Sequence, residues 1–326
     1  MKLNAVIMAG GRGSRLYPLT EKTPKPLLPV NNIPNIIKLL GELSRYGIKK
    51  AAVSVGYLAG ELEKNVGRSV YDVDVVYAYE QKPLGSAGGV KNASKYLGGD
   101  LLVLSGDAVF EGDLSKMIEQ HYNTRSDVTI ACTRVEDTSR FGVLVTDDSG
   151  RVVGFCEKPA KGECESDLAN IGIYIISRAV IDSLPENEKL DFSLDVFPKI
   201  IKSARIGAWE TGDYWCDMGT LSSYLQCNMR YSHGENIIGK NCRISPDAKI
   251  SGSVIFDGVT IEAGACISGA LICSGAHIGR GVGISDGSVV GENCHIPDKD
   301  VLSPGSMTLS GTHPGAIAAS TVTGEI

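Results

Sequence analysis

LNAVIMAGGRGSR, residues 3–15, is the stretch on which the fold turns. Its first seven residues form a short apolar run that meets glycines at once, the pattern of a buried strand ending in a tight loop. A helix follows: Ile36, Leu39, Leu40 and Leu43 recur at i, i+3, i+4 and i+7, with Pro34 in the first turn and Gly47 at the stop. The runs AAVSVGY near residue 51, VDVVYAY near 73 and LLVLSGD near 101 read as further strands, separated by helical stretches at about 58–66 and 86–97. Strands alternating with helices imply parallel pairing through right-handed crossovers, a Rossmann-like α/β arrangement that binds ligands beyond the carboxyl ends of its strands. Past residue 125, VTIACTRV, FGVLVTD, VVGFCEK and NIGIYIIS crowd together, so the sheet is expected to be mixed, though mainly parallel. Helices at about 193–203 and 220–231 close this part.

The pattern changes near residue 236. Ile238, Ile244, Ile250, Ile255, Ile261, Ile267, Ile272, Ile278, Ile284, Val290 and Ile296 recur every six residues, with two five-residue steps. Small or aliphatic residues such as Cys242, Ala248, Val259, Ala265, Ala276, Val282 and Cys294 follow four positions after most of them. That double constraint predicts a hexapeptide β-helix of three to four coils, and it resembles the left-handed hexapeptide-repeat family. The expected division is a catalytic domain over 1–233, a left-handed β-helix over 234–300 and a tail over 301–326. A solenoid this short needs its edges covered, which points to a homo-oligomer formed through the β-helix.

With 326 residues, two domains are the natural starting count. A content of 43% hydrophobic and 21% charged residues argues for a globular chain, and a net charge of −6 argues against a nucleic-acid grip. The nine cysteines are scattered, odd in number and form no C-x-x-C pair, so free thiols are expected. No signal-peptide pattern opens the sequence and no apolar run is long enough to span a bilayer, so the expected setting is cytoplasmic, away from membranes.

Chemistry concentrates in MAGGRGSRLYPLTEKTPKPLLPV, residues 8–30. Glycines after a strand let backbone N–H groups approach phosphates, and Arg12, Arg15 and Lys25 add positive charge. A Walker A loop requires Lys-Ser/Thr after its last glycine, and a dinucleotide fingerprint requires a third glycine where this chain has Leu16; neither fits. Two prolines flank Lys25 and stiffen its backbone, which favours a positioned ammonium over a solvated one. Asp107 ends an apolar strand, so its carboxylate emerges at the ligand edge of the sheet.

The full arrangement, GG-x-G-S-R-L, then P-x-T, then Pro24-Lys25-Pro26, resembles the sugar nucleotidyltransferase family, also described as nucleoside diphosphate sugar pyrophosphorylases. The family normally has Thr where this chain has Ser14, which keeps the hydroxyl. The resemblance implies that Met8, Ala9, Gly10, Gly11, Gly13 and Ser14 line the nucleotide, that Arg15 holds the departing pyrophosphate and that Lys25 contacts the reacting phosphates. It implies that Asp107 and Asp217, the latter in YWCDMGT, bind Mg²⁺. The segment Glu80-Gln81-Lys82-Pro83-Leu84-Gly85-Ser86 resembles the family's base-binding stretch, with Glu80 in the reading position and Pro83, Gly85 and Ser86 beside it. A carboxylate only accepts hydrogen bonds, so Glu80 suits the N1–H and N2–H₂ donors of guanine. Glu157-Lys158-Pro159, Asn170 and Gly142 match the sugar-phosphate motif, with Lys158 on the phosphate and Glu157 on sugar hydroxyls.

DFSLDVFPKI and GDYWCDMGTLSSYLQCN look nearest to the mannose-1-phosphate guanylyltransferase branch. The expected reaction is therefore attack of a sugar 1-phosphate on a nucleoside triphosphate, mannose 1-phosphate and GTP being favoured, to give a nucleotide sugar and pyrophosphate. Such catalysis is positioning and charge neutralisation, with no side-chain nucleophile. A glucose-1-phosphate uridylyl- or thymidylyltransferase is the alternative within the class. A non-catalytic regulatory relative is the alternative outside it, opposed by the presence of Arg15, Lys25, Asp107, Asp217 and Lys158 together. His121 lies on the apolar face set by Leu114, Met117 and Ile118 and reads as packed, while His277 and His295 in the repeat leave a second, acyl-transfer activity open.

Overall fold

In the computed structural model, which describes residues 3–311, the opening apolar run is β1 (Leu3–Ala9), inside a ten-stranded mixed sheet. The other strands are β2 (Lys50–Val55), β3 (Ser69–Val70), β4 (Val73–Tyr79), β5 (Asp100–Ser105), β6 (Val128–Arg134), β7 (Gly142–Thr146), β8 (Val152–Glu157), β9 (Leu168–Ile176) and β10 (Ile206–Glu210). Their order is β8-β7-β9-β5-β1-β2-β4-β3, with β6 pairing both β9 and β10. β5, β1, β2 and β4 run parallel, whereas β7, β8 and β9 pair antiparallel to their neighbours, as the crowding of strands after residue 125 implied.

β1 is apolar on both faces because both are covered. Ile7 joins Ile36, Leu40 and Leu43 of the helix Asn35–Arg45 in one core, while Val6 joins Ala87 and Val90 of the helix Gly85–Ala93 in the other. Gly47, at φ +72°, ends the first of these helices in a left-handed turn that a side chain would strain. His121 is packed as expected, 2% exposed with Nδ1 against Thr129 Oγ1 at 2.8 Å.

One expected helix differs in detail. The helical stretch expected over 193–203 runs from Phe192 to Ile200, opening as a π-helix, Phe192–Val196, that continues into the α-helical turn Phe197–Ile200. Asp191 caps the start of this segment by accepting from the N–H groups of Ser193 and Leu194, and Pro198, which has no N–H to donate, lies where the π-helical part passes into the α-helical one.

The repeat forms three four-stranded parallel sheets stacked as a β-helix, each coil contributing one short strand to each face. Ile255, Ile261, Ile267, Ile272, Ile278, Ile284, Val290 and Ile296 fill its interior with Val259, Ala265, Ala276 and Val282. The coil continues to Val301–Leu302, past the expected end at residue 300, because Leu302 takes the buried position of the next repeat. Most of the remaining tail, residues 312–326, lies outside the described residues.

A single cut at 233/234 separates the two sequence patterns, but compactness divides the chain differently. The first unit holds the chain up to Arg12, Pro24–Leu27 and Asn35–Asp217; the second holds Gly13–Thr23, Leu28–Pro34 and the chain from Met218 onward. Within the second unit, the buried Tyr224 of the helix Leu221–Tyr231 donates to Pro29 O at 2.5 Å and stacks on Phe256 with centroids 6.5 Å apart. Asn228 Oδ1 accepts from the Asn31 amide at 3.0 Å. These contacts join the helix and an early loop to the β-helix coils.

Candidate active site

Because β1, β2, β4 and β5 are parallel, their carboxyl ends share one edge, and there the chain places Met8-Ala9-Gly10-Gly11, Gly56, Glu80 and Asp107. The turns are closely fitted. The Gly106 amide donates to Met8 O at 2.9 Å, and a Cβ on Gly56 would meet Gly10 O at 3.2 Å. Asn35, buried, donates from Nδ2 to the carbonyls of Gly106 and Ala108, 3.0 Å each, fixing the peptide groups on either side of Asp107. Arg12 lies over the Tyr57 ring, 5.4 Å from its centroid.

Lys25 occupies a 3₁₀ turn, Lys25–Leu27, and is only 7% exposed. Its ammonium stands 2.5 Å from Asp107 Oδ2 and 3.9 Å from Asp217 Oδ1. The two aspartates meet through an antiparallel strand pair, Ala108–Phe110 with Trp215–Asp217, whose register sets Asp217 opposite Ala108, next in sequence to Asp107. Ser105 donates from its hydroxyl to the other Asp107 oxygen. Burial is the largest influence on Asp107 and opposes its ionisation, but the Lys25 charge, the Lys25 hydrogen bond and that of Ser105 together hold the carboxyl below its ordinary range.

Among the described residues no three His, Cys, Asp or Glu side chains form a cation cage. Two carboxylates around one cationic group nevertheless suit Mg²⁺, a hard ion that takes one or two protein carboxylates and completes its shell with phosphate oxygens and water. Lys25 supplies the positive charge at this spot, so the donor set fits the ion.

The segment expected to read the base is tied to its surroundings at both ends. Glu80 accepts from Ser54 Oγ at 2.5 Å and from the Leu84 amide at 2.9 Å. A Cβ on Gly10 or Gly89 would fall 2.9 or 2.8 Å from Glu80 Oε1, so glycine at both positions admits this carboxylate. Pro83 and Gly85 are exposed, and Ser86 donates to Asp191 Oδ2 at 2.8 Å. The Ala87 and Gly88 amides, free donors at a helix start, are taken by Leu190 O at 2.9 and 3.2 Å.

The residues expected on the sugar side form a second cluster on the antiparallel half of the sheet. Gly142 lies opposite Glu157, and a Cβ there would meet Glu157 Oε2 at 2.8 Å. Asn170 donates to Tyr174 Oη at 3.0 Å and Ser193 Oγ at 3.3 Å and accepts from the Gly172 amide at 2.9 Å. Lys158 has a positive φ of 45°, and its ammonium is solvent-facing, 3.7 Å from Glu157 Oε1. Gly13, Ser14 and Arg15 belong to the second unit, where Gly13 has φ +67°, Thr20 Oγ1 donates to Gly13 O at 2.8 Å, and Ser14 and Arg15 are exposed beside the buried Leu16.

Asp191 and Ser193 were not singled out from the sequence. They link the two clusters, since Asp191 holds Ser86 on one side and the Ser193 amide on the other, and Ser193 reaches Asn170. The available signal was an Asp two residues before a Ser at a turn, a capping pattern common in any chain.

The family model described as nucleotidyl transferase matches residues 4–234, and that of the EIF2B subunit epsilon LbH domain matches residues 226–302. A mannose-1-phosphate guanylyltransferase of Mycobacterium tuberculosis is 31% identical over 80% of this chain and 82% of its own length. A UTP–glucose-1-phosphate uridylyltransferase of Synechocystis is 34% identical over 69% of this chain and 62% of its own. Among solved structures, HddC from Yersinia pseudotuberculosis complexed with GMP-PN superposes with a TM-score of 0.61 at 30% identity, covering 71% of this chain and 100% of that one.

Proposed function

The chain belongs to the nucleotidyl transferase family and is a sugar-1-phosphate nucleotidyltransferase, from which we propose that it joins GTP to mannose 1-phosphate, giving GDP-mannose and pyrophosphate. The observation that carries the reading is the meeting of Lys25, Asp107 and Asp217 at the carboxyl edge of the parallel strands. An oxygen of the sugar phosphate attacks the α-phosphorus, a new P–O bond forms, and the bond to the β-phosphate breaks to release pyrophosphate. Two polyanions must approach, so charge neutralisation and alignment dominate the barrier.

In this reading Lys25 contacts the reacting phosphates and Arg15 takes the departing pyrophosphate. The backbone from Met8 to Ser14 lines the nucleotide, and Glu80, Pro83, Gly85 and Ser86 receive the base. Gly142, Glu157, Lys158 and Asn170 hold the sugar phosphate. Asp107 and Asp217 would hold Mg²⁺, which supplies further charge neutralisation to the triphosphate when bound. Glu80 supports guanine because its two oxygens, each accepting one hydrogen bond already, keep about two of about four acceptor sites for N–H donors. The resemblance to a guanylyltransferase over 82% of its length and to a structure complexed with GMP-PN supports the same base.

A second reading, glucose-1-phosphate uridylyl transfer, is favoured by the 34% identity to the Synechocystis uridylyltransferase. Pyrophosphate release measured with each of GTP, ATP, UTP and dTTP against a panel of hexose 1-phosphates separates the two. GTP with mannose 1-phosphate is expected to turn over fastest, and a preference for UTP or dTTP overturns the assignment. We place the activity in the cytoplasm, supported by free cysteines and by the finding that no helix among the described residues is long and apolar enough to cross a membrane. Copies associate through the β-helix, whose last described coil leaves Val301 and Leu309 exposed; light scattering reading a monomer would overturn this.

A further inference from the structure

The chain at 188–194 meets the start of the helix Gly85–Ala93 through two kinds of contact. Backbone bonds dock it: the Leu190 amide donates to Leu84 O at 2.9 Å, and the Ala87 and Gly88 amides donate to Leu190 O at 2.9 and 3.2 Å. A Cβ on Gly88 would collide with Glu188 O, so the approach is close. A side-chain link is added to these. Ser86 Oγ donates to Asp191 Oδ2 at 2.8 Å and accepts from the Phe192 amide at 2.9 Å. A hydroxyl carries a single proton, so the one donor of the Ser86 side chain is committed to Asp191 and none is left for a base.

From Asp191 the connection reaches Asn170 by two routes. Asp191 Oδ1 accepts from the Ser193 and Leu194 amides at 2.8 and 3.2 Å, and Ser193 Oγ accepts from Asn170 Nδ2 at 3.3 Å. Phe192, fully buried, packs on Tyr174 with ring centroids 5.2 Å apart, and Tyr174 Oη accepts from the same Asn170 nitrogen at 3.0 Å. Both Asn170 amide protons are therefore taken. Its Oδ1 accepts from the Gly172 amide at 2.9 Å and keeps one lone pair, the capacity left for a sugar hydroxyl. The strand is irregular at this point: Asn170 and Tyr174, four apart on β9, face Cys132 and Ile130, two apart on β6. A bulge re-aims side chains, so the bonds from Ser193 and Tyr174 fix the direction that the strand ladder leaves open.

We propose that the Ser86 hydroxyl and Asp191 are positioning residues for the sugar 1-phosphate: Ser86 belongs to the segment that receives the base, but its side chain acts across the loop on Asn170. The proposal rests on the placement of the base at 80–86 and of the sugar at Gly142, Glu157, Lys158 and Asn170. One oxygen of Asp191 holds the turn and the other holds Ser86, so loss of the Ser86 bond frees the carboxylate to rotate. The Ser193 hydroxyl then loses its fixed place, and Asn170 no longer presents Oδ1 in one direction. Docking of the loop survives, because its backbone bonds use neither side chain. The base meets Glu80 and the backbone of its segment, which the change leaves as they were.

Ser86→Ala removes the hydroxyl, and Asp191→Asn keeps the oxygen that caps Ser193 and Leu194 while replacing the one that receives Ser86. These two, the double variant and Asn170→Ala are compared with the parent by pyrophosphate release, using the nucleotide and sugar 1-phosphate that react fastest in the substrate panel. Each of the first two is expected to raise the KM for the sugar 1-phosphate about fivefold or more and to leave the KM for the nucleotide within about twofold. The double variant should match the worse single one, since both changes break the same connection. A nucleotide KM raised as much as the sugar KM puts the Ser86 hydroxyl on the base and overturns the proposal. Unchanged KM values with a lower urea midpoint make the link a matter of folding alone, and losses that multiply in the double variant make the two residues independent; either result also overturns it. Asn170→Ala separates the proposal from the reading beneath it. If that variant raises the sugar KM and Ser86→Ala does not, the sugar placement stands and the proposal fails; if it leaves the sugar KM unchanged, the placement fails and the proposal with it. A panel that selects another nucleotide or sugar corrects the substrate assignment and leaves the expected split as stated.

Discussion

Replacing Lys25 by Met keeps most of the side-chain length and removes the ammonium that stands 2.5 Å from Asp107 and 3.9 Å from Asp217. Loss of one preorganised group that meets charge in the transition state costs on the order of a hundredfold or more in turnover, about 2.7 kcal/mol. The effect on folding is smaller. Removing one partner of a fully buried pair costs about 3–5 kcal/mol, but the carboxylates here are 36% and 27% exposed, so water takes over much of their solvation and about 1 kcal/mol is expected. The pH dependence has a definite sign. The Asp107 carboxyl is held below its unfolded value of about 3.9, so the stability it contributes is present above that pH and lost as pH falls through the lower folded value; the Met variant loses less on acidification. The variant is also expected to reach half-maximal activity at lower Mg²⁺, because the competing ammonium is gone. Pyrophosphate release with GTP and mannose 1-phosphate, Mg²⁺ titration, and urea unfolding at pH 7 and pH 4 measure these effects. Turnover within about threefold of the parent would refute the placement of Lys25 at the reacting phosphates.

Asp217→Asn removes one of the two carboxylates proposed for Mg²⁺ and should raise the Mg²⁺ needed for half-maximal activity about tenfold or more; an unchanged Mg²⁺ titration contradicts that role. Gly85→Ala places a Cβ 2.5 Å from Leu190 O at a φ of +72° and should destabilise the fold by about 2–4 kcal/mol, read as a lower urea midpoint; a neutral result shows that the loop at 188–190 yields. Burial, opposed by Asp100 and Asp127, lowers the His121 pKa. Between the folded value and the unfolded value of about 6.5 only the unfolded chain takes up the proton, so stability falls as pH drops below about 6.5. Urea midpoints at pH 8 and pH 5.5 check this, and His121→Gln should flatten the difference.

Much of the architecture follows from local pattern. The apolar run Ala5–Ala9 of β1 reflects burial on both faces, the spacing of Ile36, Leu39, Leu40 and Leu43 gives a helix with one covered side, and the six-residue recurrence of isoleucine suits coils with three faces. These are properties of neighbouring residues, and the chain displays them without being folded. The helix expected over 193–203 is present from Phe192 to Ile200, capped at its start by Asp191, but its first part takes the wider π register and the chain leaves the helix at Ile200, which the side-chain pattern did not indicate.

The candidate site is a different matter. Lys25, Asp107 and Asp217 were named from motifs, but nothing in those motifs says that one ammonium faces both carboxylates; that comes from the register of Trp215–Asp217 on Ala108–Phe110. Gly142 is glycine because antiparallel pairing puts Glu157 opposite it, and Asp191 and Ser193 connect Ser86 to Asn170 only once a distant loop has docked on a helix start. The sequence alone determined the opening strand, its glycine turn and the repeat, since each depends on periodicity over a few residues. Tertiary structure alone decided which charges meet, because strand register and loop docking join residues about a hundred positions apart, and no local pattern encodes that distance.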